Sequence, residues 1–290
     1  MPPRKHFRLK LRSRTLILGP RTLIMGVLNV TPDSFSDGGK FLDPRRAVAH
    51  ALSMQRDGAD VIDIGAESTR PGSYAITAAE ELRRLLPVLE ALRGRLKIPI
   101  SIDTQKSAVA EIALGAGASI VNDVSGLSTD LRLAQVAARH RVPLILMHMR
   151  GTPLTMQKKP FAKNVLKDVA AGLRRSIALA RKAGVANNRI ILDPGIGFGK
   201  SFSQNYELLA NLPALAKLGY PLLVGTSRKG FLGATSVKEG KPAPVEDRIW
   251  ATAATVAASI LGGAHIVRVH DVKEMCLVTR AADRILAASM

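Results

Sequence analysis

The sequence predicts a closed barrel of eight parallel strands wrapped by eight helices, a (β/α)8 (TIM-barrel) fold in the α/β class, carried by one chain of 290 residues. Three observations lead there. From Leu23 onward, short apolar runs alternate eight times with amphipathic stretches, with no long interruption. The runs are apolar throughout, as parallel strands covered by helices must be. Eight such units joined by right-handed crossovers close a ring. A doubly wound open sheet is the alternative, but no stretch resembles its glycine-rich dinucleotide turn.

Taken in order, residues 7–18 read as a hairpin: Phe7, Leu9 and Leu11, a Ser13-Arg14 turn, then Leu16 and Leu18. Residues 1–20 form an extension whose hairpin plugs the bottom, amino-terminal end of the barrel, within a single domain spanning 1–290. The first strand is Leu23–Leu28, and Asp43-Pro44, an N-cap with proline at the first helical position, starts a helix over about 44–57. Then follow strand Asp60–Ile64 with a helix near 77–93, and strand Ile98–Ile102 with Pro99 at its tolerated start and a helix near 105–115. Strand Ser119–Val121 precedes a helix near 129–140, and Pro143–Met147 precedes a long loop over 148–160 and a helix near 162–183. Arg189–Leu192 leads to 203–217, Pro221–Val224 through a loop near 233–244 to 245–261, and Ala264–Val269 to a helix over about 271–288.

Composition narrows the function classes. The single cysteine, Cys276, excludes an internal disulfide framework and fits a reducing, cytoplasmic setting. No apolar signal region follows the basic amino terminus, and the longest apolar stretch, 251–267, is alanine-rich and too weak to span a bilayer, so no membrane partner is expected. The net charge of +19 is dispersed. Arg4, Lys5, Arg8, Lys10, Arg12 and Arg14 alternate with Phe7, Leu9 and Leu11, and aromatic residues are scarce. Base-stacking platforms are therefore not expected, nor is a nucleic-acid partner. Most of the charge reads as solvated surface, and a minority as drawing in an anionic small substrate.

In such a barrel the chemistry sits at the carboxyl ends of the strands. Those ends are polar in every unit. The first strand stops at Asn29 and opens into a loop too long and too loaded for a simple turn. Asp103, Asn122 and Asp193, ending strands three, four and six, form an acceptor-rich wall. Buried carboxylates must be paired, and a flat heterocycle with several N–H donors, such as a 2-amino-4-oxopyrimidine ring, would pair them. An ion-pair cluster with Lys229 is the competing reading, but one lysine does not neutralise two aspartates. Arg268 and His270, two apart on one strand, share a face and neighbour Asn29. That corner suits phosphate or pyrophosphate, with Asn29 offering an oxygen to Mg²⁺. Ser227-Arg228-Lys229-Gly230 opens a short helical turn whose backbone N–H groups attract an anion. There is no nucleophilic triad order, cysteine pair or His/Asp metal cluster, which favours departure of a leaving group under electrostatic help.

The strings Asn29-Val30-Thr31-Pro32-Asp33-Ser34-Phe35-Ser36-Asp37-Gly38-Gly39, Asp63-Ile64-Gly65-Ala66-Glu67-Ser68-Thr69-Arg70-Pro71-Gly72, Asp193-Pro194-Gly195-Ile196-Gly197-Phe198-Gly199-Lys200, Ser227-Arg228-Lys229 and Arg268-Val269-His270-Asp271, in order on successive strand ends, resemble the dihydropteroate synthases. The resemblance implies condensation of 6-hydroxymethyl-7,8-dihydropterin pyrophosphate with 4-aminobenzoate, giving 7,8-dihydropteroate and pyrophosphate, the folate-forming step that sulfonamides block. It implies that Asp103, Asn122, Met147, Asp193, Phe198 and Lys229 hold the pterin, with Arg268 against its face. Asn29 would carry Mg²⁺ on the pyrophosphate, helped by Thr69, Arg268 and His270. Phe35, Thr69, Arg70, Pro71, Phe198, Ser227 and Lys229 would form the aminobenzoate pocket. The catalytic set would be Asn29, Asp33, Arg70, Lys229, Arg268 and His270, acting in an SN1-like step. The family is usually dimeric, so a homodimer is expected; the apolar, small-residue helix 248–261 reads either as its face or as a helix packed against the barrel. Gly230 departs from the serine that many members carry. A pterin-dependent methyltransferase domain would need neither the aminobenzoate loops nor the pyrophosphate corner. An inactive paralogue would be expected to lose Asn29, Arg70 or Lys229.

Overall fold

The computed structural model describes residues 4–12, 14–31, 43–158, 162–235, 237–238 and 241–289, the side chains of 237, 238 and 241 excepted. Asp33 and Phe35 lie outside the described residues.

The chain opens with an antiparallel hairpin, β1 (Phe7–Lys10) and β2 (Thr15–Leu18). The repeating units are β3 (Leu23–Asn29) and α1 (Pro44–Arg56), β4 (Val61–Gly65) and α2 (Ala78–Leu92), β5 (Ile100–Asp103) and α3 (Ser107–Gly115), β6 (Ile120–Asp123) and α4 (Arg132–His140), and β7 (Leu144–Met147) and α5 (Val165–Lys182). Then come β8 (Ile190–Asp193), α6 (Phe202–Ala210), α7 (Leu212–Ala216), β9 (Leu223–Val224), α8 (Gly230–Gly233), β10 (Val237–Lys238), β11 (Lys241–Pro242), α9 (Ile249–Leu261), β12 (Ile266–Val269) and α10 (Val272–Ala288). The parallel sheet runs β8-β7-β6-β5-β4-β3-β12-β9, and a bridge between Leu192 and Leu222 joins its two edges into a ring. Among the described residues no helix is long and apolar enough to cross a membrane.

Local chemistry accounts for the helix starts. Asp43, Thr77, Asn164 and Ser201 each accept a backbone N–H of the first turn they cap. Two expectations change. The helix expected over 203–217 is broken at Asn211, because Pro213 sits where a helix can only begin. Part of the expected loop near 233–244 is a two-residue ladder, β10 with β11. Several strands also run one or two residues further than expected, so that Asn29, Asp103, Asn122 and Asp193 lie within the ladder. Backbone pairing does not depend on side-chain polarity, so apolar runs understate strand length.

The strand period of two then builds the barrel interior in layers. Met25, Val61, Ile120, Ile145, Ile191, Leu223 and Ile266 form the floor, and Leu9, Leu11 and Leu18 of the hairpin seal it from below. The alternate outward residues pack against the helices in the larger core. Hairpin arginines fasten the plug. Arg12 donates to the carbonyls of Leu114 and His140, at the ends of α3 and α4, and Arg14 donates to Lys97. Arg4 is buried and fully engaged, which corrects its reading as solvated charge.

Candidate active site

Two positions beyond each floor residue, the same inward face carries Val27, Asp63, Asn122, Met147, Asp193, Gly225 and Arg268, with Asp103 beside Asn122 and Gly65 in register. Of these, Asp103, Asn122, Met147, Asp193, Gly225 and Arg268 line the lower part of a cavity of about 660 Å³ at the carboxyl ends of the strands. The cavity is lined by Asn29, Thr69, Arg70, Pro71, Asp103, Asn122, Met147, Asp193, Phe198, Ser227, Lys229, Arg268 and His270. Residues spread over the whole sequence thus meet in one cup.

Arg268 is the hub of its floor. Its Nε donates to Asp63 Oδ2 at 2.7 Å and its Nη2 to Asp103 Oδ2 at 2.9 Å. Asn122 Nδ2 also donates to Asp63 Oδ2, at 3.0 Å. Asp103 and Asn122 of the acidic wall are thus tied to the cationic corner, and Arg268, rather than Lys229, is the cation bonded to Asp63 and Asp103. Asp63, quoted at a strand end but given no role, is its centre. Even so the network is incomplete. Asp63 Oδ1 and Ser101 Oγ are buried without a hydrogen-bond partner. Burial, reinforced by the neighbouring charge of Asp63, pushes the Asp103 carboxyl well above the usual carboxylate range despite Arg268.

The second wall comes from the loop after β8. Asp193 Oδ1 accepts Gly195 N–H at 2.7 Å, and burial pushes its carboxyl up to about 6. Lys229 Nζ lies 3.9 Å from the centre of the Phe198 ring. Burial and Arg268 bring that ammonium down to about 8, against the pull of Asp193 and Asp103. Lys200 pins the loop from behind, donating to the carbonyls of His148, Gly195 and Phe198 at 3.0, 2.8 and 3.0 Å. Gly195, at φ +67°, is obligatory: a Cβ there would lie 2.0 Å from the His148 oxygen. His148 itself is buried beside Gly172 of α5 and is not part of the cavity lining.

At the rim, Ser227 Oγ accepts the backbone N–H of His270 at 3.2 Å and lies 3.0 Å from His270 Nδ1. Burial and the charges of Arg268, Arg228, Lys229 and Arg70 hold the imidazole well below its ordinary pKa, so the ring is neutral. The anion site expected at the Ser227–Gly230 turn is weaker than its sequence suggests. The helix α8 has four residues, Arg228 N–H is taken by Thr252 and Lys229 N–H by Thr226. Arg228 itself pairs with Asp271. At Gly230, a Cβ would meet nothing within 4 Å. Among the described residues, no three His, Cys, Asp or Glu side chains gather as a metal cluster.

Sequence reasoning missed Lys200, Glu67, Met156, Phe202, Asn205 and Arg248, all of which line the cavity. For Asp63, Glu67 and Lys200 a signal existed, since each stands in a polar string at a strand end. Met156, Phe202, Asn205 and Arg248 come from helices and loops whose approach depends on tertiary packing.

A family model described as pterin binding enzyme matches residues 25–270. The chain is 49% identical over 267 residues to the dihydropteroate synthase of Synechocystis, covering 92% of this chain and 91% of that protein. It superposes on the Yersinia pestis dihydropteroate synthase in a sulfonamide drug complex with a TM-score of 0.89, at 41% identity, covering 98% of this chain and 99% of that one. The Xanthomonas albilineans dihydropteroate synthase with 4-aminobenzoic acid gives a TM-score of 0.86 at 41% identity, covering 98% of each chain.

Proposed function

Since the chain belongs to the dihydropteroate synthase family of pterin-binding enzymes, we propose that its cup binds 6-hydroxymethyl-7,8-dihydropterin pyrophosphate below and 4-aminobenzoate above, joining them with loss of pyrophosphate. The observation that carries this reading is the pair of buried carboxyls, Asp103 and Asp193, that line the cavity together with Asn122 and Lys229. A ring edge bearing amino and ring N–H donors would pair with Asp103 and Asp193, and Asn122 and Lys229 can donate to its oxo oxygen. Met147 packs beside the ring. Arg268, held flat by two carboxylates, offers the ring its guanidinium face.

The pyrophosphate extends to the rim, toward Asn29, Thr69, Arg70, Ser227 and His270. A neutral His270 can donate its ring N–H, and Arg70 contributes charge. Asn29 can give one oxygen ligand to Mg²⁺. This fits an ion whose other ligands are substrate phosphates and water, as magnesium prefers. When bound, the ion supplies charge that stabilises the departing pyrophosphate.

The bond between the pterin methylene carbon and the pyrophosphate oxygen breaks first, and its electron pair leaves with pyrophosphate. The resulting cation faces Asp103 and Asp193. The arylamine nitrogen then forms the carbon–nitrogen bond and releases a proton to water or pyrophosphate. Phe198, the Lys229 stem, Ser227 and the Thr69-Arg70-Pro71 loop orient the arylamine; Asp33 and Phe35 belong to the same reading.

A second copy of the chain is the proposed partner. On the outer face of α9, Trp250 is 81% exposed beside Ala254 and Ala258, and on adjacent α10 Leu277 is 66% exposed. Sedimentation should give a dimer, and a Trp250→Glu variant a monomer.

One assay tests the activity. Purified protein with pterin pyrophosphate, 4-aminobenzoate and Mg²⁺ should release pyrophosphate only when both organic substrates are present. Release that ignores 4-aminobenzoate would defeat the proposal.

A further inference from the structure

At the edge of the substrate cup, where Glu67 belongs to the lining, a buried charge cluster joins its two halves. Lys106 follows Asp103 by three residues, at the cap of α3. Its Nζ donates to Glu67 Oε2 at 2.9 Å and to Glu81 Oε2 at 2.7 Å. The two carboxylates come from different places. Glu81 is a fully buried side chain of α2, and Glu67 lies at the base of the 66–77 loop, its side chain 7% exposed. The other oxygen of Glu67 accepts the N–H of Ile76 at 2.8 Å, at the far end of that loop. One carboxylate thus clasps both ends of the segment that carries Thr69, Arg70 and Pro71, and one lysine ties the clasp to the strand end that carries Asp103.

Inside the loop, Ser73 and Gly72 make local or lateral bonds. Ser73 Oγ donates to the carbonyls of Ser68 and Arg70, and Gly72 N–H donates to Pro153. Arg84 donates to Ala66 O at the loop base. None of these reaches β5. Glu81 Oε1 is buried without a partner, and burial raises this carboxyl even against Lys106.

We propose that Lys106 and Glu67 are positioning residues, coupling the wall that meets the pterin to the loop that meets the arylamine. The inference rests on the function proposed above. It assigns to the pair no contact with either substrate, only the placement of Thr69-Arg70-Pro71 relative to Asp103. An error of an ångström in that placement is costly to a reaction between two oriented partners.

Glu67→Ala tests this while leaving the Lys106–Glu81 pair intact, so the fold survives. The KM for 4-aminobenzoate should rise roughly tenfold, with the KM for pterin pyrophosphate within about twofold of wild type, as expected when a supporting contact is lost beneath an oriented site. Glu67→Gln, which keeps an acceptor for Ile76 N–H, should recover part of the loss. Amide hydrogen exchange should quicken across residues 68–76 and stay unchanged across 190–200. Equal change in both KM values, no change in either, or unaltered exchange over 68–76 would each overturn the inference. If the wild type makes no product, the proposed function fails instead, and the exchange measurement still decides whether Glu67 anchors the loop.

Discussion

The barrel buries an arginine–aspartate cluster at each end, and the two are built to different standards. At the bottom, Arg4 donates to Gly19 O, Thr22 Oγ1, Ala264 O and Asp283, and Asp283 also accepts from the backbone and hydroxyl of Thr22. Both partners are satisfied. At the top, Arg268 bridges Asp63 and Asp103, yet Asp63 keeps an unpartnered oxygen, two carboxyls are raised and Lys229 is lowered. The difference separates structural charge from recognition charge. A closed network fastens the plug, whereas an open one has groups left over for a ligand.

Breaking the top should cost function most. Arg268→Met leaves two buried carboxylates facing each other without their cation, and kcat/KM should fall by roughly 10³-fold, the equivalent of losing a buried charge partner. Breaking the bottom should cost stability instead. Arg4→Met should lower unfolding free energy by about 3 kcal/mol in denaturant titration, with kcat/KM of the folded fraction within about twofold of wild type. If Arg4→Met instead abolished catalysis at unchanged stability, the contrast would be lost.

Smaller effects sharpen it. Lys229→Ala should weaken pterin pyrophosphate by roughly 10²-fold in calorimetry, as for a lost charged donor. The raised Asp193 carboxyl gives a signed pH effect. Its folded pKa, about 6, lies above the ordinary carboxylate value, so the folded state binds the extra proton between them. Its contribution is complete below about pH 4 and is lost as pH rises through 6. Without ligand, the stability of Asp193→Asn relative to wild type should therefore climb over that window and level off above it. Gly230→Ser should have the least effect. The added side chain enters open space, so stability should hold within about 0.5 kcal/mol. Its hydroxyl should lower the 4-aminobenzoate KM by a few fold, if the carboxylate rests there.

The contrast between the two ends also explains what the sequence revealed. Eight apolar runs announced the barrel, because parallel strands have to be covered on both sides. Polar strand ends announced where the cup lies, and Asp103, Asn122, Asp193, Lys229, Arg268 and His270 do line one cavity. What could not be read was pairing across the ring. That Arg268 reaches strands β4 and β5, rather than keeping to His270, follows from the inward parity of Asp63 and Asp103 and from the space beside Gly225. Arg4 looked like surface charge because its alternation with apolar residues matches an exposed strand. Its four acceptors come from segments as distant as Ala264 and Asp283. Lys106 was silent for the same reason: its partners lie 39 and 25 residues away.

The claim that the open top network recognises the pterin is tested most directly by calorimetric titration of 6-hydroxymethyl-7,8-dihydropterin pyrophosphate into wild type, Asp193→Asn and Arg4→Met. Asp193→Asn should bind at least roughly 100-fold more weakly than wild type, as when a site built for hydrogen bonding loses its match, and Arg4→Met should bind as wild type does. Equal affinity in all three proteins would contradict the account.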